Sequence, residues 1–191
     1  MGVSGPEPLL PSGRAPVCPP PSCRPLWVAM TEPTDPARDE IELERYGADL
    51  VRAVDEGIVE WVLMTVTQVA TAQLDTVPAG LAAQARIAGE TVRAEVVPRM
   101  TALVSTDVDE QRSTPLSLVR DAQAHVTRVL READVPPVAR DPFDKELLTD
   151  DVYAVGPASF AEISFEAQDA AIRWGAAKAH VHRTRHRGVP R

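Results

Sequence analysis

Little in this chain can serve as a reactive centre. Among 191 residues there are two cysteines, Cys18 and Cys23, and both fall in the first thirty positions. A C-x4-C pair supplies only half of the four ligands a structural zinc site uses, so disulfide, thiolate and cysteine–metal chemistry are not expected of the folded part. Asparagine is absent, and aromatic residues make up 4% of the chain. Between Thr31 and Ile172 stand five widely spaced glycines, too few and too scattered to cradle a phosphate. His-Glu-x-x-His, Glu-x-x-His and the dinucleotide-binding fingerprint are all missing. These gaps weigh against an enzyme without excluding one, and no cofactor is expected. Long apolar runs are lacking too. The longest uncharged stretch, Trp61–Leu74, has 14 residues and carries Thr65, Thr67, Gln68, Thr71 and Gln73. A spanning helix needs about 20 mostly apolar residues. No membrane span is expected, and a cytoplasmic location is.

Proline is unevenly spent. Residues 1–30 hold eight of the 18 prolines, together with three glycines. Such a stretch cannot repay its ordering entropy and reads as disordered or polyproline-like. Its prolines also interrupt every apolar run, so it lacks the ~7–15-residue apolar region of a secretory signal. Met30 opens a polar lead into a helix and reads as an alternative start of the chain. The expected organisation is therefore a Pro-rich segment over 1–30, a helical bundle over 31–179 and a basic His/Arg tail over 180–191.

Charge is divided just as unevenly. Thr31–Ile172 carries 27 carboxylates against 12 Lys and Arg, whereas Arg173–Arg191 carries six Lys and Arg, no carboxylate and three of the four histidines. Arginine outnumbers lysine 18 to two, with heavy use of Ala and Val, which is the bias of a GC-rich genome. Arginine content by itself therefore does not signal nucleic-acid affinity.

The apolar spacing predicts helices throughout. Leu43, Tyr46, Leu50, Val54, Ile58, Trp61 or Val62, Val66 and Val69 recur every three or four residues and predict one helix over Pro36–Leu74, with bends allowed at Gly47 and Gly57. It is apolar nearly all round from Ile58 to Val69, so that half should be buried. A second helix is expected from about Pro78, using Leu81, Ala85, Ala88, Val92 and Val96. Pro98 should kink or stop it before Met100. Ser105–Ser113 reads as an exposed acidic loop. A third helix is expected over Pro115–Ala133, ended by Pro136-Pro137. Asp35-Pro36, Thr114-Pro115 and Asp141-Pro142 each place a capping residue before a proline at the first helical position. A short helix over Pro142–Thr149, an extended Asp151–Gly156, a capping box at Ser159–Glu162 and a last helix from Phe165 to about Arg183 complete the pattern. The last helix carries Ala171, Gly175 and Ala179 at every fourth position, a ridge suited to close approach by another helix. The fold class is all-α: three long helices plus a C-terminal one.

Candidate sites are few, and each has a plainer explanation. Arg173, Lys178, Arg183, Arg185 and Arg187 can contact phosphates or an acidic partner. Equally, they can complement a helix dipole beside an acidic body. Trp174 is the one aromatic near them, so base-stacking recognition of a single strand is not expected. His182 and His186, four apart, can share a helix face and bind a metal, but no carboxylate or cysteine adjacent in sequence completes the set, and His180 points elsewhere. Asp141, Asp144, Glu146, Asp150 and Asp151 cluster without the spacing of a calcium loop. His125 has Asp121 four residues before it, half of an acid–base pair. None of Ser105, Ser113, Ser117, Ser159 and Ser164 is marked as a nucleophile. Trp61 and Trp174 are core anchors or, with His125, the lining of an inter-helix pocket.

Asp141-Pro-Phe-Asp144, Asp150-Asp-Val-Tyr153 and Trp174-Gly-Ala-Ala-Lys-Ala179 followed by His and Arg together resemble the C-terminal pattern of uncharacterised helical proteins of GC-rich actinobacteria. The resemblance covers about the last fifty residues and implies no activity or site. Three readings follow from the sequence. The first is a non-enzymatic interaction or regulatory protein whose basic tail contacts an acidic partner or nucleic acid. The second is a small-molecule-binding protein or enzyme with a pocket between helices. The third is a homodimer built on the Ala171–Gly175–Ala179 ridge or the Ile58–Val69 face.

Overall fold

The computed structural model describes residues 36–138 and 151–187. Five helices follow in order: α1 (Pro36–Gln73), α2 (Leu81–Val104), α3 (Pro115–Arg120), α4 (Gln123–Glu132) and α5 (Phe165–Arg185). A single 3-10 turn, Phe160–Glu162, leads into α5. Among the described residues there is no strand, and the fold is all-α. Among the described residues no helix is long and apolar enough to cross a membrane. The expected helix over Pro142–Thr149, with its cap at Asp141, lies outside the described residues, as does the Pro-rich segment.

α1 is the axis. Its 38 residues run unbroken through Gly47 and Gly57 and reach about 57 Å at 1.5 Å per residue. Leu50, Val54, Ile58, Val62 and Val66 have no solvent exposure, as the spacing predicts, and the stripe ends on the fully buried Ala70, with Val69 only partly buried. α2 and α5 pack along it, both antiparallel. Arg93 Nε donates to Asp55 Oδ1 at 2.7 Å between α2 and α1. Further along, Gly89 lies so close to α1 that a Cβ there would stand 3.1 Å from the Val59 backbone. On the α5 side, Gly57 faces Ile163 and Gly47 faces Trp174. Gly89 and Gly47 mark close contacts between helices, and Gly57 one with the turn that leads into α5. α4 touches both α1 and α2 and closes the core with Val126, Val129 and Leu130.

Four local expectations are corrected. First, α2 does not stop at Pro98 but continues to Val104. Met100, fully buried, and the partly buried Leu103 extend its core stripe, while Pro98 itself is exposed. The carbonyl that loses its partner can therefore bond water, and packing overrides the proline's cost. Second, the third helix breaks at Asp121-Ala122 into α3 and α4. Its start is as expected: Thr114 Oγ1 accepts from the Ser117 N–H, with Pro115 at the first position. Third, the Ser159–Glu162 capping box does not form. Glu162 accepts from the Ala158 N–H at 2.8 Å, and Ser159 makes no side-chain cap. Fourth, Asp151–Gly156 is a turn, not an extended segment. The buried Asp151 carboxylate accepts from the N–H groups of Val155 (2.9 Å) and Gly156 (2.7 Å), and Ala154 takes a left-handed φ of 55°.

Of the Ala171–Gly175–Ala179 ridge only Ala171 packs, partly buried, against the core, and Gly175 and Ala179 are exposed. The buried contacts of α5 come from Ala167, Ala170, Trp174 and Val181, and a Cβ on Gly175 would meet nothing within 4 Å. Of the Ile58–Val69 stretch, Ile58, Trp61, Val62 and Val66 enter the chain's own core, but Met64, Thr67 and Gln68 are exposed, so this half is buried on one face and not nearly all round.

Helix continuity through Pro98 has a measurable consequence. Pro98→Ala restores a backbone donor inside an ordered helix and is expected to stabilise the protein by about 1–2 kcal/mol in urea unfolding. A neutral or destabilising result would mean that α2 ends at the proline.

Candidate functional site

The basic residues of α5 do not form a free tail. The boundary expected at residue 180 falls inside α5, which continues to Arg185 and brings its last two turns onto the acidic body. Arg185 is the centre of the contact. Its Nη1 donates to both carboxylate oxygens of Asp107 at 2.8 Å, and its Nη2 donates to Glu40 Oε1 at 2.9 Å. One guanidinium thus ties α5 to α1 and to the α2–α3 loop. The two carboxylates hold its pKa well above the ordinary arginine value. The Asp109 backbone N–H, followed by Arg185, pulls the Asp107 carboxyl below the usual range.

The histidines add to this seam. His180 Nε2 lies 3.1 Å from Asp39 Oδ2 on α1. His182 and His186, one turn apart, both approach Asp109 Oδ1, at 3.6 and 3.0 Å. The hydrogen bond from His186 is the main cause of a lowered Asp109 pKa. The loop that presents these acids is itself pinned. Asp109 N–H donates to Asp107 Oδ1 at 2.9 Å, and Gln111 Nε2 donates to the carbonyls of Leu103 and Thr106. The stretch Ser105–Ser113 is thus a loop, as expected, but an ordered one with Val108 buried beneath it.

The other cations divide. Arg173 pairs with Asp169 one turn earlier. Lys178 Nζ sits 5.1 Å from the centre of the Trp174 ring. Arg183 and Arg187 are exposed and make no ion pair among the described residues. They border a shallow recess of about 480 Å3 with the three α5 histidines.

The residues expected to line a pocket do not converge. Trp61 and Trp174 are 3% and 5% exposed and belong to the core. Trp174 packs beside Gly47, and Trp61 lies fourteen residues further along α1, about 21 Å away. The Trp174 indole N–H is buried without a hydrogen-bond partner. His125 is not paired with Asp121. Its Nε2 meets Glu95 Oε2 at 3.0 Å and its Nδ1 meets Arg128 at 3.0 Å, while Asp121 binds Arg99 at 2.7 Å. The break at Asp121-Ala122 lies between the two residues, so the four-residue spacing no longer sets one side chain above the other. Of the acidic cluster, Asp151 is a buried turn-former, and Asp141, Asp144, Glu146 and Asp150 lie outside the described residues.

The largest of the surface recesses described here was not anticipated. It is a groove of about 770 Å3 between α1 and α2, closed at one end by the α2–α3 loop. Leu43, Val51, Val97, Val104 and Val108 give it an apolar floor, and Glu40, Glu44, Asp55 and Asp107 an acidic rim. Arg185 enters it from α5.

No protein-family model, curated protein or solved structure matches the chain.

Because the seam is electrostatic and partly exposed, it should respond to salt. Arg185→Met is expected to lower Tm at low ionic strength, with wild type and variant converging at high salt. Equal melting at all salt concentrations would show that the clamp carries no stability.

Proposed function

We propose that the protein is a non-enzymatic helical interaction module that receives a basic amphipathic segment of a partner in the α1–α2 groove. The observation that carries this reading is Arg185. A guanidinium already lies across Asp107 and Glu40 at the groove's end, with charge-assisted geometry, beside an apolar floor. An amphipathic helix with arginines flanking an aliphatic stripe offers the same chemistry over a longer surface. The net charge of −8 favours such a partner and opposes nucleic acid along the body. The reading also moves the partner contact from the tail to the groove, because Arg185, Arg173 and Lys178 are engaged within the chain. Arg183 and Arg187 are what is left for an outward phosphate contact. A cytoplasmic setting belongs to the same proposal.

A synthetic amphipathic helix bearing arginines beside a leucine stripe is the probe, with single-stranded DNA beside it. The peptide is expected to bind the full chain, to be released by salt, and to bind several-fold more weakly to Glu44→Lys. Unchanged binding in that variant would sink the groove. So would binding of DNA alone that is lost in Arg183→Glu/Arg187→Glu, which would return the function to the tail.

A second reading has its own support. Phe165 and Ile172 are 80% and 60% exposed and lie seven residues apart on α5, with Gly175 and Ala179 open beyond them. That face suits a second copy of the chain. A dimeric mass by light scattering that becomes monomeric in Ile172→Asp supports it, and a monomeric wild type removes it.

A further inference from the structure

We infer that Asp109, His182 and His186 form a binding site for a divalent transition metal of the zinc class, fastening the end of α5 to the α2–α3 loop. This inference is independent of what occupies the groove. The three ligand atoms, two imidazole nitrogens and one carboxylate oxygen, all lie within 4.8 Å of one another. The two imidazole-to-carboxylate distances are 3.0 and 3.6 Å. Neighbouring ligands on a tetrahedral zinc with bonds of about 2.0–2.1 Å stand roughly 3.3 Å apart, so these contacts bracket the required spacing. The ring centroids are 4.5 Å apart and the planes tilted by 50°, so small rotations bring both nitrogens onto one ion.

The donor chemistry selects the metal. Two imidazoles and one carboxylate suit Zn2+, Co2+, Ni2+ or Cu2+, whereas Mg2+ and Ca2+ prefer oxygen alone. The half-exposed side chains leave the remaining coordination positions to water. On the body side Glu40, Asp107 and Asp109 face the single cation Arg185, while Arg183 and Arg187 border the histidines on the outer side and offset part of that charge. Arg185 does not contend for the ligand atom. It lies 3.5 Å from Asp109 Oδ2, while both imidazoles approach Oδ1. Asp109 is held in place by its own N–H bond to Asp107, so one ligand is oriented in advance. The consequence is a mass-action staple: metal bound only to the folded arrangement stabilises it and keeps Arg185 at the groove.

The test uses the full chain with Cys18→Ser and Cys23→Ser, so that no thiol contributes. Zn2+ is titrated by calorimetry, with Mg2+ as control. One equivalent of Zn2+ is expected to bind and to raise Tm, and Mg2+ to do neither. His182→Gln and Asp109→Asn should each weaken Zn2+ binding about tenfold or more. On the unsubstituted chain, Zn2+ should move the ring nitrogen resonances of both His182 and His186. Absence of Zn2+ binding, an affinity that neither variant alters, or unmoved histidine resonances would each overturn the site.

Discussion

Along most of its length α1 turns one face into the core, Leu50, Val54, Ile58, Trp61, Val62, Val66 and Ala70, and no single neighbour covers a face that long. α2 runs beside it past Val59 to Gly47, α5 covers its N-terminal part from Gly57 to Asp39, and α4 packs against both α1 and α2. Each fully buried aliphatic side chain contributes about 1.5–3 kcal/mol, so this surface dominates the fold's stability. The small residues fall where the demand is strictest. Gly89 lets α2 reach the Val59 backbone, and Gly47 makes room for both Val104 and Trp174.

Burying α1 from three sides brings distant charges together as a consequence. Because α5 runs antiparallel to α1, its C-terminus arrives beside α1's N-terminus. Because α2 does the same, the α2–α3 loop arrives there too. Asp39 and Glu40, Asp107 and Asp109, and the α5 cations therefore share one end of the bundle. Part of the charge asymmetry of the sequence is met within the chain, through Arg185 and the three α5 histidines, while Arg183 and Arg187 stay exposed. The cations at the end of α5 meet the helix dipole and the body's carboxylates at once. The groove and the proposed metal site both lie at this end, where apolar packing has assembled polar groups that the chain separates widely.

Much of the architecture was legible from residue spacing alone. The stripes of α1 and α2 and the Thr114-Pro115 start depend on local periodicity and capping, which a sequence displays directly. The stop expected at Pro98 does not occur, because its cost is local while the compensation, burial of Met100, is tertiary. The His125–Asp121 pairing failed because a helical spacing was assumed across a break the spacing does not reveal. The site was legible only in part. His182 and His186 stood out as a pair one turn apart, yet His186 and Asp109 are 77 residues apart, and no local pattern links them. Asp151 stood in an acidic run but serves as a buried backbone acceptor, a role its neighbours in sequence do not announce.

The central claim is that the end of α5 is held by the body's own carboxylates and is not a free basic tail. Hydrogen–deuterium exchange on the full chain, read at the amides of Val181–Arg185, tests it most directly. Protection comparable to that of the Ala170–Trp174 turn at low salt, falling when salt screens the Arg185 contacts, is the predicted result. Exchange at the rate of an unstructured segment, whatever the salt, would contradict it.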